Sequence, residues 1–177
     1  DGKQAAHPDD AGGFAMAVMG DPELAKTRFE AALNVLKNYP FVDANRIGVV
    51  GYCFGGSVAL SMANAGYDLD AVAAFHSGLT LPIWPEDENS VKAQVLVCNG
   101  ADDTFISAED ISTFKSNMDG AAVDYEYIAY PGAVHAFTDP GADAKGAEFG
   151  LPLAYNKDAD KASWAELQEL LSTAFAQ

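Results

Sequence analysis

Apolar residues along this chain fall into two kinds of pattern. Leu24, Phe29, Leu33 and Leu36 recur at helical spacing, and they predict a helix with one apolar face, expected to pack on a sheet. Its start is marked by Asp21-Pro22-Glu23, with Asp21 as cap, Pro22 in the first helical position and an acid at the positive end of the dipole; Pro40 ends it after about Asn38. Arg46 to Tyr52 is a short apolar run without alternation, which predicts a strand buried on both faces of a parallel sheet. A glycine-rich turn and a helix from about Phe54 to Ala65 follow. Further strands are predicted at Ala71 to Phe75, at Ala93 to Cys98 and, with more alternation, at Val123 to Tyr130. Helices are predicted at about Ser107 to Met118, where Ser107 and Asp110 have capping-box spacing, and at about Lys161 to Ala176. Residues 1–20, with Pro8, two aspartates and the Gly12-Gly13 pair, read as a loop with at most a short helix, and Ala136 to Lys157 reads as one long irregular stretch.

Strand and helix largely alternate, which predicts an α/β layered fold with a mostly parallel sheet and a ligand crevice beyond the carboxyl ends of the strands. No repeat or linker interrupts residues 1–177, so a single domain is expected. The composition, 49% hydrophobic and 20% charged, suits a sizeable core. A formal net charge of -16 disfavours nucleic acid and anionic membrane surfaces as partners, because both are bound by neutralising phosphate with Lys and Arg. The apolar runs fall well short of the roughly 20 residues that span a bilayer. Two cysteines, Cys53 and Cys98, make no disulfide scaffold. No basic-then-apolar leader is visible, so a cytoplasmic location is the expectation, with a removed signal peptide left open.

The candidate chemistry lies at strand ends. Gly51-Tyr52-Cys53-Phe54-Gly55-Gly56 follows a predicted strand and opens a helix, the form of a nucleophile elbow with Cys in place of Ser. Such a turn strains the nucleophile's own backbone, and the glycines on either side allow neighbouring chain to approach. At a helix N-terminus Cys53 is favoured as thiolate, and the Phe54 backbone N–H is positioned to donate to an oxyanion. Asp103, in Asn99-Gly100-Ala101-Asp102-Asp103, and His135, in Tyr130-Pro131-Gly132-Ala133-Val134-His135, each follow a later strand. The chain order nucleophile, acid, histidine is that of α/β-hydrolases.

The cysteine elbow, the Gly100-Ala-Asp-Asp103 turn and the Pro131-Gly132-x-x-His135 loop together resemble the dienelactone hydrolase family of α/β-hydrolases, from about Asp21 to the end of the chain. The resemblance implies a Cys53, Asp103 and His135 triad, with Asp103 as the acid because it is the third residue after the turn glycine, and Asp102 as the alternative. It implies hydrolysis of lactones or activated esters through a thioester. Family members carry early sheet strands, a glutamate facing the resting cysteine and a second oxyanion amide ahead of the helix at Asp21. The first 20 residues do not hold these strands, so an α/β-hydrolase-like fold lacking its N-terminal strands, in an N-terminally truncated chain, is the expectation. The alternative is an intact but catalytically incomplete chain. Members that cleave dienelactone bear an arginine four residues after the histidine; Asp139 stands there, and Arg28 and Arg46 are the only arginines in the sequence. A neutral or differently anchored ester therefore stands beside an anionic lactone as substrate.

His76, at the end of another strand, is a candidate pocket wall or substitute base. Phe54, Phe137, Phe149 and Tyr155 are candidate walls of an acyl pocket, while Cys98 reads as core and His7 as surface. Isolated histidines and cysteines 45 positions apart give no metal-ligand pattern, and no cofactor is implied. Two other functions stay open: a non-catalytic scaffold that binds a ligand or partner, and a thioesterase or transacylase using the same triad. The expected partner is a small-molecule ester or lactone; oligomeric state is undetermined by these patterns.

Overall fold

A computed structural model describes residues 2–176. It divides into two compact units, one up to Ala44 and one from Asn45 onward.

The first unit is a pair of helices, α1 (Pro8–Met19) and α2 (Pro22–Lys37). α1 occupies the segment expected to be mostly loop. Its start explains why: the His7 side chain accepts from the Asp9 N–H, Pro8 supplies a preset first position, and Asp9 and Asp10 complement the dipole. The Gly12-Gly13 pair is tolerated within the helix. α2 matches its predicted bounds, and Asp21 caps the Leu24 N–H at 3.0 Å. Its apolar face is less buried than the spacing implied: Ala25 is its one buried residue, and Leu36 is 42% exposed.

In the second unit, β1 (Gly48–Tyr52), β2 (Ala71–Phe75), β3 (Gln94–Gly100) and β4 (Tyr125–Tyr130) form one sheet in the order β1-β2-β3-β4, parallel throughout. α3 (Phe54–Asn64) links β1 to β2, and α4 (Ala108–Gly120) links β3 to β4. α5 (Ala142–Phe149) and α6 (Lys157–Ala174) complete the unit. β2 is buried at every position, as a central strand should be, whereas β1 lies at the edge with Val50 and Tyr52 exposed. The expectation that β1 is covered on both faces therefore fails at those two side chains. β3 and β4 run two residues past the level at which β1 and β2 end, through the pairs Asn99↔Ala129 and Gly100↔Tyr130.

On one face of the sheet, Ala73, Phe75, Leu96 and Cys98 pack with Phe137, Ala159 and Leu167, so α6 closes this side of the core. α3 packs against β1 and β2. α4 begins with the predicted capping box: the Asp110 N–H donates to Ser107 Oγ at 3.0 Å and the Ser107 N–H donates to the Asp110 carboxylate at 3.0 Å. The long irregular stretch contains the two-turn helix α5, and α6 starts at Lys157 because Asn156, rather than a later residue, caps it. No helix among the described residues is long and apolar enough to cross a membrane.

Candidate active site

The three chemistry-bearing residues singled out in the sequence meet at the carboxyl end of the sheet. Cys53 is the last residue before α3, with φ 51° and ψ -124°, a conformation that costs a non-glycine residue of order 1–3 kcal/mol. The chain is held in it from both sides. The Cys53 N–H continues the ladder to the Phe75 carbonyl at 2.9 Å, and its own carbonyl receives the Gly56 N–H at 3.0 Å as the helix starts.

The flanking glycines have unequal parts in this turn. A Cβ on Gly51 would lie 2.3 Å from the Gly55 carbonyl oxygen, so the elbow closes this tightly only without a side chain there. A Cβ on Gly55 would meet nothing within 4 Å. Close approach accounts for the first glycine of the motif and not the second.

Asp103 and His135 are brought together by crossing loops. At the end of β3, Gly100 lies against the loop after β4, where a Cβ would stand 2.3 Å from the Ala133 carbonyl oxygen. The Asp102 N–H donates to that same carbonyl at 3.0 Å, and the Ala101 N–H donates to the Tyr130 carbonyl at 2.9 Å. Asp103 then turns inward with its side chain fully buried, while Asp102 stays exposed. Asp103 Oδ2 is 2.8 Å from His135 Nδ1, and Asp103 Oδ1 accepts the Phe105 N–H at 2.9 Å. His135 Nε2 lies 3.1 Å from Cys53 Sγ. The returning limb of the loop after α5 fixes the histidine backbone, the Ala154 N–H donating to the His135 carbonyl at 3.3 Å and the Asn156 N–H to that of Phe137 at 3.0 Å.

The electrostatics follow from these contacts. Burial alone would raise the Cys53 thiol, but the hydrogen bond and positive charge of His135, with the Phe54 N–H directed at the sulfur, bring it below its ordinary range. Burial would lower His135, yet its hydrogen bonds to Asp103 and Cys53 and their negative charges push it up to about 9. Both shifts run in the direction that favours a thiolate–imidazolium pair. Cys98 is the opposite case: buried in β3, its Sγ 3.6 Å from the Tyr130 hydroxyl, it is pushed up to about 12 by desolvation and is an inert core thiol.

His76 lies beside this pair. It follows β2 with φ 38°, its ring is buried 5.2 Å from that of His135, and its Nε2 is 2.9 Å from Thr138 Oγ1. Burial and the neighbouring imidazolium hold it down to about 4, so it is neutral in the working range. Phe137 is fully buried and packs edge-on against His76 with centroids 5.5 Å apart, which makes it core support rather than an open pocket wall. Tyr155 is tied to α6 by its hydroxyl, which donates to Asp160 at 2.8 Å. Phe149 ends α5, and Phe54 contributes its backbone N–H.

Three residues with a part in the site were not singled out by sequence reasoning. Phe105 is 52% exposed and packs edge-on against His135 at 5.0 Å; an isolated aromatic in a polar turn two residues after the acid was the available signal. Tyr52, within the elbow motif, is 44% exposed, stacks on Phe75 at 4.9 Å and tilts toward His76 at 5.8 Å. Buried Asn99 clamps the loop that carries His76, accepting the Ser77 N–H at 2.9 Å and donating to the Ser77 carbonyl at 3.2 Å. No local pattern could have revealed that clamp. Among the described residues there is no group of three or more His, Cys, Asp or Glu side chains that could hold a metal ion.

Comparison with known proteins identifies the family and the fold. The model of the dienelactone hydrolase family matches residues 2–175. An uncharacterized protein of Caenorhabditis elegans is 36% identical over 156 residues, covering 85% of this chain and 94% of that protein. Among solved structures, m3DLH superposes with a TM-score of 0.90 at 35% identity over 98% of this chain and 71% of its own. A dienelactone hydrolase-like promiscuous phosphotriesterase from metagenomic libraries gives a TM-score of 0.79 at 33% identity, over 90% of this chain and 65% of its own. Against several further curated relatives the chain spans only 38% to 59% of their length. With its α/β fold, parallel sheet and strand-end site, the chain belongs to the dienelactone hydrolase family, whose members are carboxylic ester hydrolases.

Proposed function

We propose that this protein cleaves lactones or activated carboxylic esters with Cys53 as nucleophile, His135 as proton carrier and Asp103 as the group that orients it. The observation that carries the reading is the unbroken line from Cys53 Sγ to His135 Nε2 at 3.1 Å and from His135 Nδ1 to Asp103 at 2.8 Å.

The thiolate attacks the ester carbonyl, and the Phe54 N–H donates to the oxygen that becomes charged. Collapse of the tetrahedral adduct breaks the carbon–oxygen bond, and His135 gives its proton to the departing alcohol. The Cys53 thioester remains. A water that loses its proton to His135 then adds to the thioester, and the acid leaves as the thiol is restored. A thiolate is itself a good leaving group, so productive collapse requires an alcohol that departs readily, such as an enol. An amide would need stronger assistance to its departing amine and is not the expected substrate.

Cys53→Ala is expected to abolish turnover of activated esters with the circular dichroism of the parent retained; turnover at the parental rate would overturn the proposal. In the parent, brief treatment with limiting iodoacetamide at mildly acidic pH should label Cys53 and spare buried Cys98. An unlabelled Cys53 together with no ester turnover would favour a binding scaffold. Transfer of the acyl group to an added thiol or alcohol faster than to water would mark a transacylase on the same residues.

A further inference from the structure

On that reading of Cys53 and His135, we infer that the leaving-group side of the site takes an uncharged aromatic group, so that neutral aryl or enol esters are substrates and esters carrying a carboxylate on the leaving group are disfavoured. Two observations lead there, one of shape and one of charge.

The proton for the leaving oxygen comes from His135 Nε2, so whatever that oxygen bears must lie beside the histidine. An exposed aromatic ring, Phe105, packs against the histidine. Its ring is 52% exposed and edge-on to the imidazole at 5.0 Å and 82°, and its backbone is pinned by the hydrogen bond to Asp103 Oδ1. A large aromatic face held half in solvent, with its backbone fixed, is a ready surface for a planar apolar group. Tyr52, 44% exposed and stacked on Phe75, adds a second aromatic surface bordering His76.

The charges around this rim are unsuited to an anion. Apart from the imidazolium, which is already paired with the thiolate and Asp103, the groups acting on His76 are the carboxylates Asp103 and Asp139. Asp139 follows Thr138, the hydrogen-bond partner of His76. The nearby cation, Lys145, is engaged: its Nζ sits on Asp139 Oδ2 at 2.9 Å, while Asp139 Oδ1 takes the Gly141 N–H at 2.8 Å. Arg46 donates to the Phe175 carbonyl, and Arg46 precedes β1 at the end of the sheet away from Cys53. Among the described residues, a carboxylate on the leaving group would meet aromatic edges and the Asp139–Lys145 pair, in which the ammonium is already bound to a carboxylate. In the reaction itself the Cys53 sulfur–acyl bond forms, the acyl–oxygen bond breaks, the phenol or enol leaves with the His135 proton, and water later releases the acid.

The test uses three acetates that give the same acetyl-enzyme: phenyl acetate, 4-acetoxybenzoate and trifluoroethyl acetate, each kcat/KM divided by the hydroxide rate for that ester. Phenyl acetate is expected to exceed 4-acetoxybenzoate by about tenfold at low ionic strength, with the gap narrowing at about 0.5 M salt and in Asp139→Asn. Phe105→Ala should lower the preference for phenyl over trifluoroethyl acetate by about tenfold, and Phe105→Leu by less. Equal use of 4-acetoxybenzoate and phenyl acetate by the parent, or an equal loss on both neutral esters in the folded Phe105 variants, would overturn the inference. The parental comparison decides alone if those variants fail to fold. Absence of an acetyl-enzyme burst with all three esters would instead remove the Cys53 reading, and this inference with it.

Discussion

Two glycines of one motif should respond to the same substitution in opposite ways. In Gly51→Ala the new Cβ would be placed 2.3 Å from the Gly55 carbonyl oxygen, 2.4 Å from its carbon and 2.6 Å from the Gly56 nitrogen, whereas ordinary contact begins at 3.4 Å. The elbow must therefore open by about 1 Å, and all three obstructing atoms are backbone that no rotamer change can move aside. Overpacking of this kind belongs at the upper end of its usual range, about 3 kcal/mol. The same opening shifts Cys53 relative to His135, and a misplacement of about 1 Å at a reacting group lowers the rate on the order of 10²-fold. In Gly55→Ala the Cβ meets nothing within 4 Å, and the position lies in the first turn of α3. Alanine there is expected to leave stability unchanged or raise it by up to about 1 kcal/mol, with kcat/KM within about threefold of the parent. Urea unfolding followed by circular dichroism measures the first quantity, and ester turnover per burst-titrated site measures the second. A Gly51→Ala protein as stable and active as the parent, or equal damage in both variants, would refute the reasoning.

Asp103→Asn keeps the shape of the acid but loses its charge and its hold on the His135 tautomer, so kcat should fall about 10³- to 10⁴-fold with little change in KM, read from steady-state kinetics on an activated ester. The parental pH profile of kcat/KM should begin to rise below the ordinary thiol range and fall as His135 loses its proton near about 9. Removing the Asp103 charge should move that alkaline limb to lower pH, since Asp103 is one of the groups that raises His135. Ser107→Ala, which breaks the capping box of α4, should cost about 1 kcal/mol in urea unfolding and leave ester turnover unchanged.

The fold was legible because three strands of the sheet are short, largely apolar runs and the fourth alternates, each bounded by a turn. The site was legible because three of these strands end in Cys53, in the Asp103 turn and in the His135 loop. What escaped was whatever depends on distant chain. β1 has the same apolar run as β2, yet its place at the sheet edge leaves Val50 and Tyr52 exposed, and an apolar run does not encode which neighbours it will have. The helix at Pro8–Met19 was hidden by Gly12 and Gly13, whose low propensity a capped, dipole-matched first turn outweighs. The reason for Gly100 appears only where the loops after β3 and β4 cross, and the exposure of Phe105 only once Asp103 has turned inward.

The opposed shifts of Cys53 and His135 also govern how stability depends on pH. His135 in the fold holds its proton up to about 9, against about 6.5 in an unfolded chain. A raised value means that its stabilisation is complete below about 6.5 and is lost as pH climbs through the folded value. Cys53 runs the other way: its lowered value stabilises the fold above the unfolded thiol range and is lost as pH falls through the folded value. Between the unfolded histidine and thiol values, about 6.5 and 8.5, an unfolded chain carries one proton on the thiol and none on the imidazole. Wherever the thiolate is already formed in that window, the folded pair also carries one proton, on the imidazole. Folding then moves a proton within the pair without binding or releasing one, so this site contributes no slope there. Cys53→Ala removes the compensating thiol, while Asp103 still raises His135. The variant's unfolding free energy should therefore fall, relative to the parent's, at up to about 1.4 kcal/mol per pH unit above about pH 6.5 until its own folded histidine value is reached. Parallel urea titrations of the two proteins from pH 6 to 9 measure the difference. Identical slopes would mean that His135 is not held above its unfolded value once Cys53 is gone, so that Asp103 alone does not keep its proton in place.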